Sequence, residues 1–163
     1  MKHSVESITS DAPARQELVG FLANFEDENR GEVFWQRRLA FWWDENPFSS
    51  RELLKGWVLR CDGKIVGFLG LILSEYIYRD KIYRAFAATT WRVEKEHRNA
   101  SLPMFMKWHA LGREFILLDT TANEEVAKIL DRFKYDAEKT VLSHLFPLRS
   151  VSGLKGLALI PLH

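Results

Sequence analysis

The sequence predicts a single-domain α/β (α+β) protein built on a mixed sheet, and three observations lead to that prediction. The chain has 163 residues, of which 47% are apolar and 28% charged, so it can bury one hydrophobic core. Its middle third has the pattern of successive antiparallel strands, and a β-α-β pattern follows. A meander followed by a crossover needs a mixed sheet. The predicted order is β-α-α-β-β-β-α-β-α-β-β.

The first third of the chain predicts one strand and two helices. Residues 3–9 alternate in the manner of a strand. Ser10 and Pro13 are typical of a helix start, and apolar residues then recur at helical spacing. The same spacing predicts a second helix over residues 32–43. This helix ends before Pro47, because the residue before a proline is disfavoured in the α region.

The middle third predicts a β meander. Its strands are predicted over residues 56–60, 64–78 and 81–93. Asp62 and Gly63 form a dipeptide that is typical of a type I′ hairpin turn. Gly67 and Gly70 lie inside the second strand, and they predict close packing against another backbone.

The last third predicts alternating helices and strands. Helices are predicted over residues 101–111 and 122–133, and strands over residues 114–120, 139–146 and 157–162. Ser101 is a candidate cap for the first of these helices, and Pro103 is tolerated in its first turn. The short strand over residues 114–120 is mostly apolar, as a buried strand is.

Charge and cysteine content exclude several classes of protein. Lys and Arg total 23 and Asp and Glu total 22, and this balance disfavours binding of nucleic acid or of anionic membranes. Cys61 is alone, so we expect no internal disulfide, an inert apolar role for its thiol and no metal site. The first residues have no apolar core of a signal peptide, and no apolar run reaches the ~20 residues of a membrane helix. We therefore expect a cytoplasmic location.

Four segments resemble the GCN5-related N-acetyltransferase (GNAT) superfamily. The segment VLRCDGKIVGFLG over residues 58–70 resembles its "DGKIVGF" hairpin, and WRVEKEHR over residues 91–98 resembles its "V-x-P-E-Y-R" strand end. The segment TTANEEVAKILDRFKY over residues 120–135 resembles its "N-x-x-A-x-x-L-Y" helix. FWQRRLAFWWDENPF, over residues 34–48, is similar to a "W-x-W-x-x-N-P" stretch in some members.

This resemblance implies a cleft between two strands that splay apart, one ending near Val93 and the other near Thr120. The free backbone of the first strand would bind the pantetheine arm of acetyl-CoA or another acyl-CoA. The next loop and helix N-terminus would hold the pyrophosphate, since such ends attract anions. The implied cofactor-binding residues are Trp91, Arg92, Val93, Arg98, Asn99, Ala100, Ser101, Leu102 and Asn123.

The sequence departs from the family pattern in this loop and in the last helix. Ser101 and Pro103 replace glycines, and Pro103 removes one N–H from the phosphate cradle, so the loop is degenerate. Leu130 stands where the family often carries a tyrosine that protonates the leaving thiolate. Arg98 to Ser101 could equally form a plain loop and helix cap, and Asn123 could equally cap a helix.

The sequence offers few candidates for a general base. Glu75 is the candidate catalytic base, although its place on an alternating strand also suits a solvent-facing residue. His97 and His109 are further candidates, and a plain surface or half-buried role is the alternative for His109.

Aromatic residues make up 13% of the chain, and Trp35, Trp42 and Trp43 cluster on the second predicted helix. In the family this region walls the acceptor side of the cleft, so the three rings are candidate substrate-binding residues. Packing in the core under the sheet is the alternative for them.

The resemblance implies an N-acyltransferase that moves an acyl group, most simply acetyl, from coenzyme A to an amine by direct attack in a ternary complex. The acceptor would be a small-molecule or peptide amine. Two alternatives stay open: a GNAT-fold domain that binds a ligand or partner without catalysis, and an acyltransferase whose donor is carried on a protein. The β-rich end, residues 139–163, could pair in a homodimer.

Overall fold

A computed structural model describes residues 1–10, 12–50, 53–119, 122–136, 144–149 and 155–160. The chain divides into two compact units, Met1–Thr121 and Ala122–His163, and each is described by itself. The elements follow the predicted order. None of the described helices has the length and apolar character that crossing a bilayer requires.

The first unit carries a five-stranded mixed sheet. Its strands and helices are β1 His3–Ile8, α1 Ala12–Ala23, α2 Glu32–Leu39, β2 Gly56–Cys61, β3 Lys64–Tyr78, β4 Lys81–Val93, α3 Leu102–Ala110 and β5 Ile116–Asp119. The sheet order is β1-β2-β3-β4-β5, with antiparallel pairing except between β4 and β5, which are parallel. The predicted mixed sheet is confirmed. The predicted second helix continues past α2 as a π-helical turn, Ala40–Asp44.

Both turns of the meander have the backbone that right-twisted strands require. Asp62 and Gly63 have φ of 48° and 88°, so the predicted type I′ class is confirmed at the first turn. Arg79 and Asp80 form the second turn with φ of 49° and 60°, without a glycine.

The tryptophan cluster packs in the hydrophobic core. Trp35, Trp42 and Trp43 are 3%, 9% and 2% exposed, and they pack with side chains of α1 and β3. Trp43 also donates its Nε1–H to the carbonyl of Leu71 at 3.1 Å. Rings so deeply buried have almost no surface to offer an acceptor, so the packing alternative is the one the structure shows.

The strand glycines lie where a Cβ would crowd neighbouring side chains. A Cβ built on Gly67 would lie 3.0 Å from a methyl group of Val93. A Cβ built on Gly70 would lie 2.8 Å from the ring of Phe68 and 3.1 Å from Thr89 Cγ2. A Cβ built on Gly56, the cross-strand partner of Gly70, would lie 3.0 Å from Gly70 Cα, so the predicted close approach to another backbone is present at Gly70.

The second unit comprises a helix and a hairpin. Helix α4 spans Glu124–Arg132, and β6 His144–Arg149 pairs antiparallel with β7 Lys155–Ile160. The strand predicted over residues 139–146 begins outside the described residues. The strand predicted over residues 157–162 begins two residues after the start of β7, and its last two residues lie outside the described residues.

Candidate functional site

Strand β4 extends well beyond the strand that pairs with it on one side. β5 pairs only with residues 85–88 of β4, and β4 continues to Val93. Residues 89–93 therefore have β3 as a neighbour on one edge and, among the described residues, no strand on the other. Unpaired backbone N–H and C=O groups along such an edge can bind an extended partner as an added strand.

A β-bulge marks the point where β4 leaves β5. Phe68 pairs with Arg92 and Gly70 with Thr89, so two residues of β4, Thr90 and Trp91, stand opposite one residue of β3. Thr90 has a φ of 51°, which is rare for a β-branched residue. Such a bulge bends the strand and redirects its side chains.

The side chains beyond the bulge are engaged in packing. The Trp91 ring stacks on Phe105 of α3, with centroids 5.8 Å apart and planes 13° apart, and Val93 is buried. Arg92 donates to Glu28 Oε2 at 2.8 Å. A ligand at this edge would thus meet mainly the backbone of β4.

The loop that follows begins with a 3₁₀ helix, Lys95–Ala100, and leads directly into α3. The Ser101 hydroxyl donates to the Arg98 carbonyl at 2.7 Å. The backbone N–H of Ser101 also donates to that carbonyl, and the N–H of Met104 donates to the Ser101 carbonyl. Since Pro103 has no N–H, the start of α3 retains few free donors for an anion.

A buried carboxylate ties the loop between α1 and α2 to β4. The Glu28 side chain is 1% exposed and accepts hydrogen bonds from the Arg30 and Arg92 guanidinium groups. It also accepts the backbone N–H groups of Asn29 and Arg30, both at 3.0 Å. Hydrogen bonds from Arg30, together with the Arg92 charge, lower the pKa of Glu28 to about 2.

Aromatic rings surround the two arginines of this cluster. The Arg92 guanidinium lies 5.2 Å from the centroids of both Phe25 and Trp35. The Arg30 guanidinium lies 4.6 Å from the centroid of Phe34. Cation–π attraction and the shared carboxylate therefore hold the α1–α2 loop beside residue 92.

The outward face of α2 forms an open groove of about 440 Å³. It is lined by Val33, Phe34, Arg37, Arg38 and Phe41. The sequence predicted that Trp35, Trp42 and Trp43 of this helical segment face the acceptor, but the structure buries all three in the core. The surface that the helix offers to a ligand is thus apolar and cationic.

Comparison with solved structures identifies the fold. An aminoglycoside acetyltransferase from an uncultured soil metagenomic sample matches with a TM-score of 0.60 and 19% identity, over 91% of this chain and all of that chain (100%). A GNAT family acetyltransferase from Staphylococcus aureus matches with a TM-score of 0.56 and 12% identity, over 88% and 98%. A predicted acetyltransferase from Clostridium acetobutylicum, solved with acetyl-CoA, matches with 0.54 and 11%, over 86% and 94%.

The chain has the fold of the GNAT acetyltransferases. The fold class predicted from the sequence is therefore confirmed. No family model and no curated protein matches the sequence itself.

The predicted cofactor residues of the first unit all lie on the free end of β4 or in the segment that follows it. Trp91, Arg92 and Val93 lie on the free end of β4, and the loop follows at once with Arg98, Asn99, Ala100, Ser101 and Leu102. Their contact with a cofactor stays a prediction. Asn123, in the second unit, caps α4 by accepting the backbone N–H of Val126 at 2.9 Å, which is the alternative role proposed for it.

Glu75 lies on β3, opposite the end of β4 that is far from the bulge. It is the cross-strand partner of Arg84, whose Nε donates to its carboxylate at 3.0 Å. Arg84 and Thr89 are five positions apart on β4, which places Glu75 roughly 17 Å from the bulge at ~3.3 Å per residue. Glu75 is therefore far from the free edge, and its role as a base stays a prediction.

Glu28 is a charged residue beside the free edge of β4 that the sequence alone did not single out. Locally it looks like part of a polar helix-breaking stretch, and its partner Arg92 is distant in the sequence. Because its pKa is low and both carboxylate oxygens are occupied, it positions neighbouring groups rather than accepting a proton.

Proposed function

We propose that this protein is an N-acyltransferase that transfers an acyl group from a coenzyme A thioester to an amine. The observation that carries the proposal is the free edge of β4 over residues 89–93, bulged at Thr90 and followed directly by a loop and helix. The shared fold with acetyltransferases, one of them solved with acetyl-CoA, supports it.

The backbone of β4 would supply the binding and the polarisation. Amide and carbonyl groups of residues 89–93 would pair with the amides of the pantetheine arm, as in strand addition. A backbone N–H near the bulge would donate to the thioester carbonyl and stabilise negative charge there. The neutral amine attacks the carbonyl carbon, the C–S bond breaks, and the thiolate takes up a proton, which leaves an amide and a thiol.

The Glu28–Arg92 contact would help to position the amine acceptor in this reaction. It holds the α1–α2 loop against β4 within the segment that would carry the donor. A fixed loop at that point keeps the amine and the thioester within reach of each other, and such positioning contributes strongly to transfer rates. A carboxylate with a pKa of about 2 and both oxygens engaged is too weak a base to take the proton of the attacking amine, so that proton would pass to water.

The start of α3 favours a second candidate function. Pro103 and the engaged N–H groups of Ser101 and Met104 make it a poor cradle for a pyrophosphate. A donor carried on a protein presents pantetheine without that pyrophosphate, so this loop would suit it better. A domain that binds such a ligand without catalysis is the remaining alternative.

Isothermal titration calorimetry with acetyl-CoA, free coenzyme A and acetyl-pantetheine separates these candidates. Tight 1:1 binding of acetyl-CoA, with thiol release when peptide or small-molecule amines are added, supports the proposal. Equal affinity for acetyl-CoA and acetyl-pantetheine favours the carrier-bound donor. Binding without thiol release favours the non-catalytic domain, and no binding of any of the three contradicts all of them.

The same titrations with the Pro103→Ala variant test whether the start of α3 binds the pyrophosphate. Alanine returns one N–H to the first turn of α3, and a hydrogen bond to a charged phosphate is worth about 1.5–3 kcal/mol. We expect acetyl-CoA to bind about tenfold more tightly and acetyl-pantetheine to bind unchanged. Pro13→Ala in the first turn of α1 is the matched control, and it should change neither affinity.

A further inference from the structure

Two histidines and the single cysteine meet on one side of the first unit. One ligand atom from each of His3, Cys61 and His97 lies within 4.8 Å of the other two. His3 on β1 is the cross-strand partner of Cys61 at the end of β2. His97 comes from the 3₁₀ helix Lys95–Ala100 that follows β4. Three separate elements thus converge on one point.

The spacing of these atoms is close to that of ligands on one ion. His3 Nε2 and His97 Nδ1 lie 3.0 Å apart. Two imidazole nitrogens that share a tetrahedral zinc ion at 2.0–2.1 Å are about 3.3 Å apart. An ion would therefore need the two rings to separate by only a few tenths of an ångström, with their shared hydrogen bond replaced by two bonds to the metal.

We propose that His3, Cys61 and His97 form a binding site for a divalent transition metal of the zinc type. A thiolate with two imidazoles is a ligand set that zinc prefers, and three protein ligands leave a fourth tetrahedral position. A water molecule would take that position.

Neighbouring carboxylates provide the outer contacts that such a site needs. Glu94 Oε2 lies 3.8 Å from His97 Nε2, and a movement of less than 1 Å would let it accept the Nε2–H and hold the ring with Nδ1 toward the ion. Asp62 Oδ1 accepts the backbone N–H of Lys2, which fixes the strand that carries His3.

The site has a structural consequence for the loop that follows β4. His97 belongs to the 3₁₀ helix that leads into Ser101 and α3. A bound ion would tie that helix to β1 and β2, and it would order the loop that contains Arg98. The metal site does not depend on the acyltransferase proposal, because its ligands and its test are separate from acyl transfer.

Cobalt substitution tests the proposal directly on the wild-type chain without an affinity tag. Co²⁺ at a tetrahedral site with a cysteine ligand gives visible d–d bands and a thiolate-to-cobalt charge-transfer band in the near ultraviolet. We expect both at one equivalent, with both displaced by Zn²⁺. Co²⁺ that binds without the charge-transfer band, or no saturable binding of Co²⁺ or Zn²⁺, would overturn the proposal.

Single variants then identify the ligands. Cys61→Ser should abolish the charge-transfer band, and His3→Gln and His97→Gln should each weaken Zn²⁺ binding at least tenfold in competition with a chromophoric chelator. His109→Gln on α3 is the matched control and should bind Zn²⁺ as the wild type does. Circular dichroism in chelator confirms that each variant is folded. Unchanged Zn²⁺ affinity in all three folded ligand variants would overturn the assignment.

Discussion

The two ends of β4 each carry a glutamate–arginine pair, and the two pairs differ in burial. At the first end, Arg84 donates to Glu75 at 3.0 Å, with side chains 63% and 24% exposed. At the second end, Arg92 donates to Glu28 at 2.8 Å, with side chains 24% and 1% exposed. The first pair joins neighbouring strands, whereas the second joins β4 to a loop far away in the sequence.

This difference in burial determines how much each ion pair is expected to stabilise the fold. Water screens an exposed pair, so its net contribution is small. A buried carboxylate must be compensated by its partners, and removing a partner leaves an uncompensated group that is costly. The ion pair at the second end of β4 is therefore the one that we expect to stabilise the fold. That end also carries the free edge and the bulge.

Glu28→Gln should have the largest effect. The substitution keeps the shape of the side chain but removes the charge that compensates Arg30 and Arg92. We expect a loss of about 3 kcal/mol in the free energy of unfolding, measured by urea denaturation at neutral pH. A loss below about 1 kcal/mol, the range of surface pairs, would remove the distinction between the two ends.

The stabilisation that the Glu28 carboxylate gives through its arginine partners should weaken in acid. The pKa of Glu28 in the folded protein is about 2, below its ordinary value of 4.5, so the carboxylate stabilises the fold fully above pH 4.5. That contribution is lost as the pH falls toward 2. The stability difference between the wild type and Glu28→Gln should therefore shrink between pH 4.5 and 2 in urea titrations. A difference that stays constant with pH would contradict the low pKa.

Gly70→Ala tests the packing beneath the bulge. The new methyl group would lie 2.8 Å from the fully buried ring of Phe68 and 3.1 Å from Thr89. We expect a loss of about 2 kcal/mol, as for overpacked cores. Gly20→Ala in α1 is the matched control, because a Cβ there meets nothing within 4 Å. It should leave stability unchanged or raise it by up to about 1 kcal/mol.

Glu75→Gln should have the smallest effect. Its partner Arg84 is mostly exposed, so we expect a change of about 0.5 kcal/mol or less in urea denaturation. A loss comparable to that of Glu28→Gln would mean that burial does not distinguish the two pairs.

Local signals in the sequence predict the elements of this fold well. Asp62-Gly63 predicts its turn class because both residues tolerate positive φ, and period-two and period-3.6 patterns predict the order of strands and helices. The bulge has no such signal, since Thr90 is β-branched and disfavours the φ it adopts. The Glu28–Arg92 contact and the His3, Cys61 and His97 cluster depend on residues that only the folded chain brings together.

Hydrogen–deuterium exchange with and without saturating acetyl-CoA tests most directly whether the free edge of β4 is a binding site for the donor. The proposal predicts that amides of residues 89–93 gain protection when acetyl-CoA binds. Amides of residues 81–84, at the other end of the strand, should exchange as before. Protection at residues 81–84 alone, or calorimetrically detected binding with no change at residues 89–93, would contradict it.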